Sequence, residues 1–165
     1  MVAHPLHIAI LDDDPSVRTA LGRFLKAAGM TVDVCATSDL LFESVALKYP
    51  DCLLLDFQMP GMSGLDVLRY LGQRHIRIPT IIMTAHDEPN VRSVCLKAGA
   101  NAYLNKPLDG EELLHRIDSI SEVSHSSMVP PFASRRNPFD NLTRSVQPRR
   151  YSSPAVGERT RKIAP

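Results

Sequence analysis

Between residues 6 and 120, short apolar runs alternate five times with longer amphipathic segments. The runs are residues 6–12, Thr31-Val32-Asp33-Val34-Cys35, Cys52 to Leu55, Thr80-Ile81-Ile82-Met83 (opened by Pro79) and Ala102-Tyr103-Leu104. Short apolar strands alternating with amphipathic helices predict a parallel sheet covered on both faces. Right-handed crossovers reduce the topologies to a doubly wound α/β sandwich, five parallel strands between five helices. Asp14 is suited to cap the first helix and Pro15 to occupy its first position, where a missing N–H costs nothing. Val17, Ala20, Leu21, Phe24, Leu25 and Ala28 follow at helical spacing, and Gly29 suits the stop. The second helix is expected to be capped by Ser38, with Leu40, Leu41, Val45 and Ala46 inward. A third carries Leu65, Leu68 and Leu71. A fourth runs from about Glu88 to Lys97. The fifth starts near Asp109 and buries Leu113, Ile117 and Ile120.

The ends of two runs carry the chemistry. Ile8-Ala9-Ile10-Leu11 ends in Asp12-Asp13-Asp14, and Leu53-Leu54-Leu55 ends in Asp56. Two buried strands that stop at carboxylates would gather four negative charges at one edge of a sheet. Such a cluster repels itself and is tolerable only around a cation. Oxygen ligands without His or Cys point to Mg²⁺, and Mg²⁺ points to phosphate. In doubly wound folds the ligand site lies beyond the carboxyl ends of the strands, where Asp12, Asp13, Asp56, Thr84 and Lys106 all fall.

Charge divides the chain. Residues 1–120 carry 11 Lys/Arg against 15 Asp/Glu, a balance of −4, whereas residues 121–165 carry 8 against 3, a balance of +5. Residues 1–124 read as one folded domain. Residues 125–165, with six prolines, many Ser and Arg and little apolar periodicity, read as a disordered basic tail that cannot bury enough surface to offset its ordering entropy. Arg135-Arg136, Arg149-Arg150 and Arg159 to Lys162 could steer that tail to nucleic acid or an acidic partner, but its few aromatics support base stacking poorly, and a solvated tail without specific binding is expected. Cys35, Cys52 and Cys95, widely spaced in apolar segments, read as reduced core thiols of the cytoplasm rather than a disulfide framework or zinc site. No run of eighteen apolar residues predicts a membrane span, and residues 1–11 do not read as a secretory signal.

Taken alone, these residues describe phosphoryl transfer to a carboxylate. An Asp can attack phosphorus, and its catalysis is mostly positioning plus countercharge on the phosphoryl oxygens. Mg²⁺ held by Asp13 and Asp56 would meet one oxygen, Lys106 a second, and the Thr84 hydroxyl with backbone N–H groups a third.

The same residues resemble the receiver domain of two-component response regulators. The resemblance rests on the acidic pair Asp12-Asp13, and on Asp56 followed by the loop Phe57-Gln58-Met59-Pro60-Gly61-Met62-Ser63-Gly64. It rests also on Thr84-Ala85, on Lys97-Ala98-Gly99-Ala100, and on Tyr103 with Lys106-Pro107. It spans residues 6–120 and implies a flavodoxin-like (βα)5 fold. It further implies that Asp56 accepts phosphate from a histidine kinase or phosphotransfer protein. Mg²⁺ would be held by the side chains of Asp13 and Asp56, by Asp12 through water and by the backbone carbonyl of Gln58. Thr84 and Tyr103 would form the switch, and the signal would emerge on the face of the fourth helix, fifth strand and fifth helix, toward a downstream protein or a second copy. The Lys106–Pro107 bond would be cis.

Met62-Ser63-Gly64-Leu65 and Thr84-Ala85-His86 look most like regulators with a helix-turn-helix output. Nothing after residue 120 has the length or periodicity of one, so DNA binding is not expected.

Other residues carry weaker signals. His86, two residues past Thr84, is read as exposed, with an influence on aspartyl-phosphate lifetime as the alternative. Gln58 is read as a loop residue or one that steers water. His4, His7, His75, His115 and His125 lack metal-ligand spacing. Two rival functions remain. Asp12-x-Asp14-x-Ser16 loosely resembles the first motif of haloacid-dehalogenase phosphohydrolases, with Asp12 as nucleophile, although Pro15 and the lack of a cap domain oppose it. A degenerate, phosphate-independent receiver is the other, although every acceptor-site residue is present.

Overall fold

The computed structural model of the chain describes residues 4–86 and 89–125. The basic tail read from the sequence therefore lies outside the described residues, save for residue 125 at the end of the last helix. The elements are β1 (His7–Leu11), α1 (Pro15–Ala27), β2 (Thr31–Cys35), α2 (Ser38–Leu47), β3 (Cys52–Asp56), α3 (Gly64–Gln73), β4 (Thr80–Thr84), α4 (Pro89–Lys97), β5 (Ala102–Asn105) and α5 (Gly110–His125). The five strands are all parallel, in the order β2-β1-β3-β4-β5. The fold class read from the alternation is the one observed.

Two cores lie on the two faces of the sheet. Ala9, Leu11, Leu53, Leu55 and Ile82 pack with Leu41, Phe42, Val45, Val67, Leu68, Leu71 and Cys95 of α2, α3 and α4. The alternate strand residues Ile8, Ile10, Leu54, Ile81 and Met83 pack with Leu21, Leu25, Leu113 and Ile117 of α1 and α5. Every residue of β1, β3 and β4 is buried, as strands covered on both faces must be. All three cysteines are free and buried, and burial pushes the Cys52 thiol up to about 12.

Local chemistry sets the helix ends. The Asp14 carboxylate accepts from the N–H groups of Ser16 and Val17, with Pro15 opening α1. Ser63 and Asp66 form a reciprocal capping box at α3. Three details differ from the expectation. Thr37, not Ser38, caps α2, because its hydroxyl accepts the Leu40 N–H while its backbone is still extended. On the same helix Phe42 is buried and Leu40 is exposed, since the sheet meets the 41–42–45 face. On α1, likewise, only Leu21, Gly22 and Leu25 are fully buried, whereas Phe24, Ala20 and Ala28 are exposed.

Among the described residues, no helix is long and apolar enough to cross a membrane.

Candidate functional site

Strand order creates the site. From β1 the chain turns outward to β2 and then returns to the other side of β1 as β3. The switch point lies between the carboxyl ends of β1 and β3, where side chains from two loops can converge. Leu11 pairs with Leu55, so Asp12 and Asp56 leave the sheet side by side. Asp56 pairs with Met83 and Thr84 with Asn105, which brings Thr84 and Lys106 to the same edge.

Asp12, Asp13 and Asp56 offer carboxylate oxygens that all lie within 4.8 Å of one another. Asp12 and Asp56 are buried and Asp13 is exposed. Asp14, read from the sequence as the cap of the first helix, does cap it and stands outside the cluster.

A cation within the chain already sits among the acids. Lys106 Nζ donates to Asp12 Oδ2 and to Asp56 Oδ1, both at 2.7 Å. Burial alone would lower the Lys106 pKa, but the bonds from Asp12 and Asp56 outweigh it and hold the ammonium above its usual range. Burial pushes the Asp56 carboxyl up. Lys106 opposes that rise, and the nearby charges of Asp12 and Asp13 add to it. Three carboxylates facing one ammonium leave two negative charges uncompensated, in an all-oxygen donor set open to solvent through Asp13. The residues therefore fit a hard divalent cation such as Mg²⁺. The Lys106–Pro107 peptide bond is cis.

Each acidic side chain is held differently. Asp12 Oδ1 accepts the Asp14 N–H at 2.9 Å, and its Oδ2 is taken by Lys106. Asp56 Oδ1 is taken by Lys106, and no donor among the described residues reaches its Oδ2. The loop beneath Asp56 depends on a close backbone approach. A Cβ on Gly64 would lie 2.4 Å from the Asp56 carbonyl oxygen. Gly64→Ala is accordingly expected to displace the β3–α3 loop and to cost roughly 2 kcal/mol, within the usual range for overpacking. Thermal unfolding checks this, with a Tm fall of about 5 °C or more expected. An unchanged Tm would mean that the loop adjusts freely.

His86 gathers the remaining candidates. Its carbonyl accepts from the Thr84 hydroxyl at 3.1 Å and from the Tyr103 hydroxyl at 3.3 Å. Its N–H donates to Thr84 Oγ1, and its ring lies 3.1 Å, Nδ1 to Oε1, from the side chain of Gln58. His86 is exposed as expected, while Thr84 and Tyr103 are buried. That one residue's backbone links the two switch candidates was not legible beforehand, because hydrogen bonding to a main-chain carbonyl leaves no mark in residue type. Arg18 was also missed: its Nη1 donates to the carbonyl oxygens of Asp12 and Asp13.

A doubly wound sheet with three carboxylates and a lysine at its switch point defines a phosphate-handling or cation-binding α/β module. The chain belongs to the response regulator receiver domain family, whose model matches residues 8–118. Over 116 residues it is 40% identical to the DNA-binding transcriptional regulator NtrC of Escherichia coli K12, a match covering 70% of this chain but 24% of NtrC. It is 32% identical over 142 residues to the response regulator protein TodT of Pseudomonas putida F1, covering 85% of this chain and 63% of TodT. Among solved structures it is similar to FixJ-N, with 29% identity and a TM-score of 0.67 over 77% of this chain and 98% of that one. The chain thus matches only part of the length of these curated relatives. Receivers are signalling domains of two-component systems. A phosphoryl-accepting Asp and Mg²⁺ in an acidic pocket are typical of them, and they work with histidine kinases and downstream targets.

Proposed function

We propose that residues 1–124 form a receiver that takes a phosphoryl group on Asp56 and thereby alters its affinity for a protein partner. The observation that carries this reading is the arrangement at Asp56. One carboxylate oxygen is tied to Lys106, the other is free among the described residues, and Asp12 and Asp13 stand alongside. Asp56 Oδ2 attacks phosphorus, the bond from phosphorus to the donor's imidazole nitrogen breaks, and an acyl phosphate forms on Asp56. The imidazole leaves with its electron pair. Asp13 and Asp56 directly, Asp12 through water and the Gln58 carbonyl would hold Mg²⁺, which would supply countercharge to the phosphoryl group. Lys106 exchanges its bond to Asp56 for one to a phosphoryl oxygen while keeping Asp12.

Switching follows from hydrogen-bond competition. The Thr84 hydroxyl has one proton, now given to the His86 carbonyl. Donating it to a phosphoryl oxygen releases that carbonyl to Tyr103 alone, so the segment after β4 and the Tyr103 ring become a single linked element. Beyond it lies α4, which follows this segment directly in the chain and would carry the change toward a protein target or a second copy. The acidic balance of residues 1–120 supports a protein rather than DNA as the partner of this domain. Reduced buried thiols and a phosphohistidine donor suit the cytoplasm.

The test is incubation of the 165-residue chain with acetyl phosphate or beryllofluoride, with and without Mg²⁺, followed by intact mass and mapping of the modified residue. Modification of Asp56 that requires Mg²⁺ is expected and is lost on chelation. Modification of Asp12 instead would favour the phosphohydrolase reading, and none from any donor, including a kinase, would favour a degenerate receiver.

A further inference from the structure

We infer that Arg18 is the positioning residue for Asp13, and through it sets the affinity of the acidic site for its divalent cation. The inference rests on the reading of Asp13 as a cation ligand. Asp12 is fixed through its own side chain, with one oxygen on the Asp14 N–H and the other on Lys106. Asp13 has no such hold. It is exposed, and among the described residues no donor bonds its carboxylate. What the fold fixes of that side chain is therefore its starting point, the direction of Cβ set by the backbone at Asp13.

Arg18 grips that backbone on both sides. Its Nη1 donates to the Asp12 carbonyl at 2.7 Å and to the Asp13 carbonyl at 2.8 Å. The first carbonyl belongs to the peptide before the Asp13 Cα and the second to the peptide after it. Holding both peptide planes fixes φ and ψ between them, and with these the direction of Cβ. Arg18 can do this because the turn capped by Asp14 brings the first turn of α1 back over the acidic loop; the Arg18 N–H itself bonds the Asp14 carbonyl at 3.1 Å. Outer partners that orient metal ligands typically change metal affinity 10- to 100-fold when removed.

The sign of the effect separates this role from simple electrostatics. A guanidinium near three carboxylates repels a second cation, so deleting its charge should tighten Mg²⁺ binding if charge were all that mattered. Positioning predicts the opposite. Both bonds leave from one nitrogen, so a lysine ammonium reaching the same place restores them, whereas methionine keeps the stem but neither bond.

The experiment is Mg²⁺ titration of the full chain by calorimetry for wild type, Arg18→Met, Arg18→Lys and Asp13→Asn. Arg18→Met is expected to weaken Mg²⁺ about tenfold, and Arg18→Lys to stay within roughly threefold of wild type. Phosphoacceptance by Arg18→Met should recover at saturating Mg²⁺, an effect on the cation requirement rather than on the maximal rate. In metal-free protein the same variant should speed amide exchange at Asp13 and Asp14 while leaving Leu53 to Leu55 unchanged. Equal or tighter Mg²⁺ binding by Arg18→Met, or unchanged exchange at Asp13, overturns the inference. Equal Mg²⁺ binding by wild type and Asp13→Asn overturns the underlying reading of the site instead, so the two failures are told apart.

Discussion

Asp56→Asn is expected to abolish phosphoryl acceptance and, in metal-free protein, to raise stability rather than lower it. Asp56 is 4% exposed, and its charge is paired with one ammonium that Asp12 shares. Burial and the neighbouring carboxylates both work against the ionised form. Asparagine keeps an oxygen for Lys106, fits the same volume and removes one of the mutually repelling charges. Relief of this kind is worth about 1 kcal/mol, the usual scale on which a functional site trades stability for activity. The amide lacks the carboxylate's charge and cannot form the acyl phosphate. Intact mass after acetyl phosphate with Mg²⁺ should show no gain in the variant, and its Tm with chelator should equal or exceed that of wild type. A Mg²⁺-dependent gain at the wild-type rate would falsify the assignment of Asp56. A clear fall in Tm would show that the ionised carboxylate stabilises the site.

Lys106→Ala should act in the opposite direction on stability. The side chains of Asp12 and Asp56 are 0% and 6% exposed, and Lys106 is the only cation bonded to them among the described residues. Removing one partner of a buried ion pair typically costs 3–5 kcal/mol, because the remaining charges are left buried without compensation. Part of the Lys106 side chain is exposed, and water can reach the gap, so about 3 kcal/mol is the expected loss. Any cation that binds the folded acids more tightly than the unfolded chain restores stability by mass action. Mg²⁺ should therefore raise the Tm of Lys106→Ala more than it raises that of wild type. Acceptance at Asp56 should persist at a lower rate, since the other countercharges remain. Amide shifts on α4, β5 and α5 that follow phosphorylation in wild type should be lost, because Lys106 ties β5 to the phosphoryl group. If those shifts survive intact, the coupling runs through Thr84 alone.

The opposed stability changes have one cause. The acidic site holds more negative charge than its single lysine balances, and the fold tolerates it because the strands beneath are buried at every position. The carboxylates stand at strand ends rather than within strands, so the cores on either face of the sheet remain apolar. The excess negative charge suits a divalent cation, which would in turn offset the charge of a phosphoryl group.

Much of this was legible in the sequence because the signals are local. Strand and helix periods repeat within a few residues, so five strands, five helices and the parallel sheet follow from Ile8 to Ile120 without reference to packing. Carboxylates that end apolar runs fall at strand ends wherever the strands go, which marked Asp12, Asp13 and Asp56. Asp14-Pro15 announced the start of α1 by capping chemistry alone. The tertiary structure decided the rest. Lys106 reaches Asp12 and Asp56 from 94 and 50 residues away, and only the order β2-β1-β3-β4-β5 with its register brings them within 2.7 Å. Thr37 rather than Ser38 caps α2, and Phe42 rather than Leu40 faces the sheet, because the helix is rotated by what it packs against. Gly64, Arg18 and His86 act through backbone carbonyls. Every residue carries that group, so sequence cannot single it out, and only the folded chain shows which one is within reach.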